Sequence, residues 1–370
     1  MKVPRPIKFE RKNFLVISPE PWTHVFVSKH HYAIELAKRG NSVFFLNPPS
    51  SEGKASITPS QYDNVFVVDY SVNVRGQRFL PGFLRRSIDR KVYNSIQQEA
   101  GVKFNVIWNF ENSRFYDLRF APRDVTKIYH QVDLNQNFHP QLAARTADIC
   151  FCTTDLILSD LKRENARSYK IHHGVSQNAF IEKPRSTEDV VENAKTITAL
   201  YVGSLDMPYI DLDVAENIVK MFPSVDFFFV GPYQEEGDFF QRMQQHSNCF
   251  FKGRVKSEEL KDYTIQSDIL LVFYKERYHK DQANPHKLME YLASGKVVVA
   301  TYTGEYEDTD GLLIMSRKNE DLPRLFQYAI DHLQQLNSCE QRQKRVNYAR
   351  EHTYDKQLDK IENFIDQLLG

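Results

Sequence analysis

The stretch Asn284–Thr301, NPHKLMEYLASGKVVVAT, limits the fold more than any other part of the chain. Pro285 suits the first turn of a helix, where its missing N–H would have had no partner anyway. Leu288, Tyr291 and Leu292 recur at helical spacing, and Gly295 is placed to end the helix. Val297 to Ala300 then reads as a buried parallel strand. On the helix, Lys287 and Glu290 share one face. A cation and a carboxylate placed so can divide a nucleotide between them, the ammonium on phosphate and the carboxylate on ribose hydroxyls. The same spacing also describes a plain surface ion pair, worth a few tenths of a kcal/mol.

The rest of the chain repeats the pattern of short apolar strands alternating with amphipathic helices, which predicts α/β architecture with parallel sheets wound on both faces. In the first half, strands are expected at 14–17, 42–46, 65–68, 106–108, 127–130 and 149–152. Helices are expected near 29–39, 84–100, 141–146 and 155–164. The polar stretch Glu182–Lys195 reads as a linker. A second series begins at Thr198 and runs through Asn284–Thr301 to a long helix near 323–336 and two terminal helices, 340–351 and 354–369.

At 370 residues the chain can bury two cores. Lys+Arg and Asp+Glu are equal at 48, so no global field favours nucleic acid. Four cysteines do not make a disulfide framework, and Cys150 and Cys152 read as core thiols. No stretch has the length and apolarity of a membrane span or a signal peptide, and a cytoplasmic setting is expected.

The segment P-x-K-x-x-E-Y-L-A-x-G-K-x-V-V-A-T, Pro285–Thr301, resembles the donor-binding segment of the GT-B glycosyltransferases, in particular the retaining group 1, or family 4-like, enzymes of bacterial polysaccharide assembly. The resemblance implies two Rossmann-like doubly wound domains facing a cleft, with KIHHGV, Lys170–Val175, as the strand that leaves the first domain. An N-terminal acceptor domain would span 1–181, a linker 182–196 and a nucleotide-sugar domain 197–338. Terminal helices 339–370 would follow, the last packing back on the first domain. It implies that Glu290 holds the ribose, with Asn284, Pro285, Lys287 and Leu288 around it. Many retaining members carry a second Glu where this chain has Gln282.

Other donor-side residues follow from the same resemblance. Gly203 ends the strand ALYVG and Ser204 follows it, where a glycine lets backbone N–H groups approach a diphosphate. Members often supply two cations there, whereas GSLDMPYID supplies none. Gly231 and Tyr233 lie in VGPY beneath the nucleotide, and Gly253, Arg254 and Val255 lie where the base would sit. Asp211 and Asp213 spell D-L-D, but an Asp at a helix start is usually a cap, so no metal and no cofactor are expected. The nucleotide-sugar, UDP- or GDP-linked, is a substrate.

In the first half, PEPWTHVFVSKHHYAIELAKRG opens on the loop after the first strand. Trp22, His24 and His30 are expected to bind acceptor and His31 to act at the reacting hydroxyl or a donor phosphate. Asp133, after the strand KIYH, matches the last carboxylate of a family motif and is expected to be catalytic, with Glu111 a competing carboxylate on the acceptor side. Arg75–Lys91, RGQRFLPGFLRRSIDRK, interleaves cations with apolar residues, as does a helix lying on anionic lipid. It reads equally as an ordinary helix with a solvated basic face.

The expected function is transfer of a sugar to a glycan, lipid-linked or other glycoconjugate acceptor without metal and with retention, at the cytoplasmic or inner membrane face. A nucleotide-sugar epimerase of the same fold and a non-catalytic scaffold stay open.

Overall fold

A computed structural model describes residues 9–50, 55–71, 80–134, 138–181, 196–280, 282–309 and 311–369. They fall into two compact units, Met1–Gly174 with Tyr354–Gly370, and Val175–Thr353. The division thus comes at Gly174 rather than after residue 181. All but the final residue of the expected linker lies outside the described residues.

Unit 1 is built in the order β1 (Asn13–Ile17), α1 (Ser28–Lys38), β2 (Ser42–Leu46), β3 (Ser56–Pro59), β4 (Val65–Asp69), α2 (Gly82–Ala100), β5 (Val106–Asn109), β6 (Thr126–Gln131), α3 (Pro140–Thr146), β7 (Ile149–Cys152), α4 (Asp155–Glu164) and β8 (Ser168–Lys170). Its eight strands lie in the order β3-β4-β2-β1-β5-β6-β7-β8. All neighbours run parallel except β3, an antiparallel edge that pairs with β4. Central strands are apolar at nearly every position because helices cover both faces: Val106, Ile107 and Trp108 are all fully buried.

The stretch KIHHGV does not continue as a strand to Val175. Pairing stops at Lys170, and the backbone beyond it runs along the chain's last helix. The His172 carbonyl accepts from Gln357 Nε2 at 3.0 Å, and a Cβ on Gly174 would meet the Tyr354 ring at 2.4 Å.

Unit 2 continues with β9 (Ile197–Val202), α5 (Leu212–Met221), β10 (Val225–Val230), α6 (Asp238–Met243), β11 (Cys249–Gly253), α7 (Ser257–Gln266), β12 (Ile269–Val272), α8 (His286–Ala293), β13 (Val297–Thr301), β14 (Ile314–Ser316), α9 (Leu322–Asp331), α10 (Leu333–Leu336) and α11 (Cys339–Arg350). Its six strands, all parallel, lie in the order β11-β10-β9-β12-β13-β14. Every residue of VVVAT in β13 is buried.

The chain's last helix, α12 (Tyr354–Leu369), belongs to unit 1. Tyr354, Leu358, Ile361 and Ile365 join its core, and Arg39 of the α1 end pairs with Asp359 at 2.7 Å. Among the described residues no helix is long and apolar enough to cross a membrane.

Candidate active site

The site in unit 2 begins with how α8 starts. Pro285 sits at the N-cap with φ −68° and ψ 128°, one position ahead of the first helical turn expected for it. The helix runs from His286, and Gly295, at φ +72°, takes the left-handed turn that ends it. Leu288 and Leu292 are fully buried, and Tyr291 is nearly so. The Tyr291 hydroxyl accepts from the Val202 N–H at 2.9 Å and so pins the helix to the end of β9. Lys287 and Glu290 stand half-buried on the remaining face.

Lys287 is not a simple surface ion-pair partner. Its Nζ lies 4.1 Å from the Tyr201 ring centroid and 5.4 Å from that of Tyr274, a cation–π seat between β9 and the end of β12. Protein crowding disfavours its charge and pushes its pKa down to about 7, against the pull of Glu290. The same crowding pushes Glu290 up to about 7, with Lys287 opposing. His286 Nδ1 lies 3.9 Å from Glu290. The pair stands poised near neutrality, each group a ready partner for a charge or a hydroxyl brought from outside.

The glycines come together in front of this pair. A Cβ on Gly203 would lie 2.6 Å from Lys287 Nζ, and one on Gly231 would lie 2.1 Å from the Gly203 carbonyl oxygen. Both have φ near +145°, where other residues are strained. The Gly203 N–H donates to the Val230 carbonyl, and the Gly231 N–H to that of Gly253. Three strand ends, β9, β10 and β11, thus present bare backbone side by side at the carboxyl edge of the sheet, where doubly wound domains bind ligands.

Ser204 and Val255 are half-buried and Arg254 is exposed. Asn284 is buried, its Oδ1 accepting from the Tyr306 hydroxyl at 3.2 Å, and so shapes the approach to α8. Tyr233 stacks on Phe240 at 4.8 Å and packs on Phe251. Asp211 caps α5 through the Val214 N–H and accepts from Asn319, while Asp213 pairs with Arg242.

In unit 1 several expected acceptor residues are structural. Trp22 is buried in the core: its backbone N–H donates to Asn47 Oδ1, and its ring N–H donates to Gln61. His30 is fully buried between Phe26 and Phe45; its Nδ1 accepts from the Val27 N–H and its Nε2 lies 3.1 Å from the Pro21 carbonyl. Burial lowers its pKa to about 4. Glu111 is buried, accepting from the Ser113 N–H at 2.6 Å and pairing with Arg114 at 2.6 Å, which spends its charge on the turn. These three positions cannot meet an acceptor in this conformation.

The others stay accessible. His24 is exposed, with Nδ1 on the Val25 carbonyl at 2.8 Å. His31 is half-buried and stacked on Tyr354 at 4.7 Å. Asp133 is exposed on the loop after β6, and crowding by surrounding protein raises its pKa while Lys29 pulls it back.

Lys29 itself was not expected. It is buried at 1% exposure and ion-paired with Glu20, although a cation in a helix's first turn opposes the helix dipole. That misplaced charge, in SKHHYAIEL, was the available signal. Ser28 Oγ lies 2.9 Å from His173 Nδ1 beside it. Tyr201 and Tyr274 were missed too, because apolar strand ends rarely announce which ring will face a cation.

The arrangement in unit 2 defines a class: a doubly wound parallel-sheet domain whose strand ends expose glycine backbone beside one helix. Residues 196–334 match the family described as Glycosyl transferases group 1, and the two parallel-sheet units are those of the GT-B fold. The chain is 27% identical over 161 residues to TuaH of Bacillus subtilis (strain 168), described as a teichuronic acid biosynthesis glycosyltransferase. That match covers 42% of this chain and 40% of TuaH.

Among solved structures, sucrose-phosphate synthase from Thermosynechococcus elongatus is similar over 97% of this chain and 99% of its own, with TM-score 0.69 and 14% identity. Anabaena HepE, in complex with UDP and glucose, gives 0.65 at 12% identity over 95% and 99%. WaaG, a glycosyltransferase involved in lipopolysaccharide biosynthesis, gives 0.62 at 15% identity over 95% and 99%.

Proposed function

We propose that this chain is a glycosyltransferase that moves a sugar from a nucleoside-diphosphate donor to a hydroxyl of a glycan or lipid-linked acceptor, in assembly of a surface polysaccharide. One observation carries the reading: Lys287, with Glu290 three residues on and both poised near neutral pH, stands against the bare backbone of Gly203, which Gly231 abuts. The ammonium and the Gly203–Ser204 backbone would meet the diphosphate, Glu290 the ribose, and the Gly253–Val255 turn the base. The group 1 match over this segment and the TuaH likeness support it.

In the transfer, the bond from the anomeric carbon to the diphosphate oxygen breaks as the bond to the acceptor oxygen forms. The diphosphate departs with the electron pair, stabilised by fixed charge and N–H groups. Asp133, its pKa raised by crowding with Lys29 opposing, takes the acceptor's proton or steadies the cationic sugar; His31 bonds the acceptor hydroxyls. Retention is the stereochemical proposal, read from the anomer of the product. The acceptor side is proposed to work at an anionic membrane surface.

A thermal-shift screen of UDP-, GDP- and dTDP-sugars tests the donor assignment. One nucleotide class should stabilise the wild type, and Glu290→Ala should lose most of the shift, since charge-assisted bonds contribute roughly 1.5–3 kcal/mol. The proposal fails if no nucleoside diphosphate binds. Hydrolysis of the donor with no transfer across an acceptor panel would point instead to the epimerase reading.

A further inference from the structure

Among the described residues of unit 1, Lys29 is the most deeply buried cation. It lies in the first turn of α1, the end of a helix that disfavours positive charge, and its ion-pair partner is Glu20 on the loop after β1. Taking that ammonium out of water costs much of what the pairing returns, so apolar side chains would hold α1 about as well. Lys127, also buried in unit 1, shows what a structural lysine does: its Nζ donates to the Val125 carbonyl at 2.8 Å. Lys29 ends on no carbonyl among the described residues. A charge that breaks the local rules at a strand-end loop points to a use beyond its own pair.

That use lies on the loop after β6, where the backbone is fixed. Thr153 Oγ1 donates to the Val132 carbonyl at 2.6 Å, and Gln131 Nε2 donates to the Asp133 carbonyl at 3.3 Å. Gln131 Oε1 accepts in turn from the Tyr129 hydroxyl at 3.3 Å. Surrounding protein disfavours the charge of the Asp133 carboxylate. Lys29 favours it, and Glu20 acts more weakly against it. The histidines of the cluster add no charge. His130 on β6 and His173, whose Nδ1 lies 2.9 Å from Ser28 Oγ, are kept neutral by burial, each with its pKa lowered to about 3. His31 turns its ring onto Tyr354.

We infer that Lys29 is a positioning residue for the transfer: anchored by Glu20, its ammonium holds the Asp133 carboxylate in the ionised form that can accept the acceptor's proton. The inference rests on the reading of Asp133 as the group that acts on the acceptor, and it names what makes that group competent. Buried beneath its own loop, Lys29 works through Asp133.

Two charges of opposite sign allow a test by direction. The Asp133 carboxyl is followed against pH by carbon-13 NMR of the full chain labelled at aspartate Cγ, with Asp133→Asn identifying the signal; no nucleotide or acceptor is needed. Lys29→Met removes the favourable charge and should move the midpoint to higher pH. Glu20→Gln removes the opposing charge and should move it to lower pH. The double variant should fall between wild type and Lys29→Met, because Lys29 acts more strongly than Glu20. Lys29→Arg keeps the charge and should titrate close to wild type. Melting curves check folding, and the double variant, with neither charge left unpaired, keeps the test open if Lys29→Met does not fold.

The reaction gives a second readout. Release of nucleoside diphosphate is followed against pH with whichever of the UDP-, GDP- and dTDP-sugars stabilises the wild type. Its acid limb should move with the Asp133 midpoint in each variant, and Lys29→Met should recover its rate at higher pH. Asp133→Asn should lose roughly 100-fold at every pH. One Asp133 midpoint common to all variants, or a shift in the same direction for both single variants, would overturn the inference. An acid limb that stays in place while the midpoint moves would do the same. If no nucleotide-sugar binds, the donor reading fails, and the carboxyl titration still decides this one.

Discussion

Replacing Lys287 by Met removes one charge from the proposed donor site while keeping an unbranched apolar stem against Tyr201. With its pKa near 7, about nine-tenths of the free lysine is neutral at pH 8, and a bound diphosphate returns it to the charged form. Wild type should therefore take up about 0.9 proton on binding a nucleoside diphosphate at pH 8. Glu290, already ionised there, contributes little. Isothermal titration calorimetry in two buffers of different ionisation enthalpy reads this number directly. Lys287→Met should show no uptake and bind roughly 10- to 150-fold more weakly, the equivalent of about 1.5–3 kcal/mol.

The unliganded protein carries the opposite sign. Between pH 7 and the ordinary lysine range the unfolded chain binds a proton that the folded chain refuses. Stability in wild type therefore rises with pH across that window, and in Lys287→Met it should not. Binding without proton uptake, or uptake unchanged in the Met variant, would refute the reasoning.

Two further expectations concern the scaffold. Gly231→Ala should destabilise unit 2 by roughly 2–4 kcal/mol in urea, since the new Cβ meets the Gly203 carbonyl and φ is +146°; a neutral effect would mean that the strand ends do not abut. His30, His130 and His173 are buried with pKa lowered to about 4, 3 and 3, so stability of unit 1 should be full above the ordinary histidine range and fall as pH drops below about 6.5. Each histidine contributes a slope of about 1.4 kcal/mol per pH unit in that window. Both tryptophans, Trp22 and Trp108, lie in unit 1, so fluorescence-monitored unfolding reports on it alone. His130→Phe should flatten the slope by about one proton, and an unchanged slope would contradict the assignment.

Periodicity alone located most of the fold because both sheets are parallel and covered on two faces. Each central strand is then a continuous apolar run, and β2, β7 and α4 coincide with their expected limits. What periodicity could not locate is equally physical. The edge strand β3, SITP, is short, exposed and carries no apolar run, and the extended stretch after Lys170 is held by α12 rather than by a sheet partner.

The positive-φ glycines and the placement of Lys287 and Glu290 on α8 were legible because each is set within a local segment. Trp22, His30 and Glu111 were misplaced because a polar or aromatic residue just past a strand end looks alike whether it faces a ligand or packs against the scaffold. Only long-range neighbours such as Asn47, Phe45 and Arg114 settle which.

The most direct measurement is an experimentally determined structure of the protein with a nucleoside diphosphate bound. It should place the diphosphate within hydrogen-bond distance of Lys287 Nζ and the Gly203–Ser204 backbone, with both ribose hydroxyls on Glu290. A nucleotide bound elsewhere, with Lys287 still seated on Tyr201 and Glu290 facing water, would contradict it.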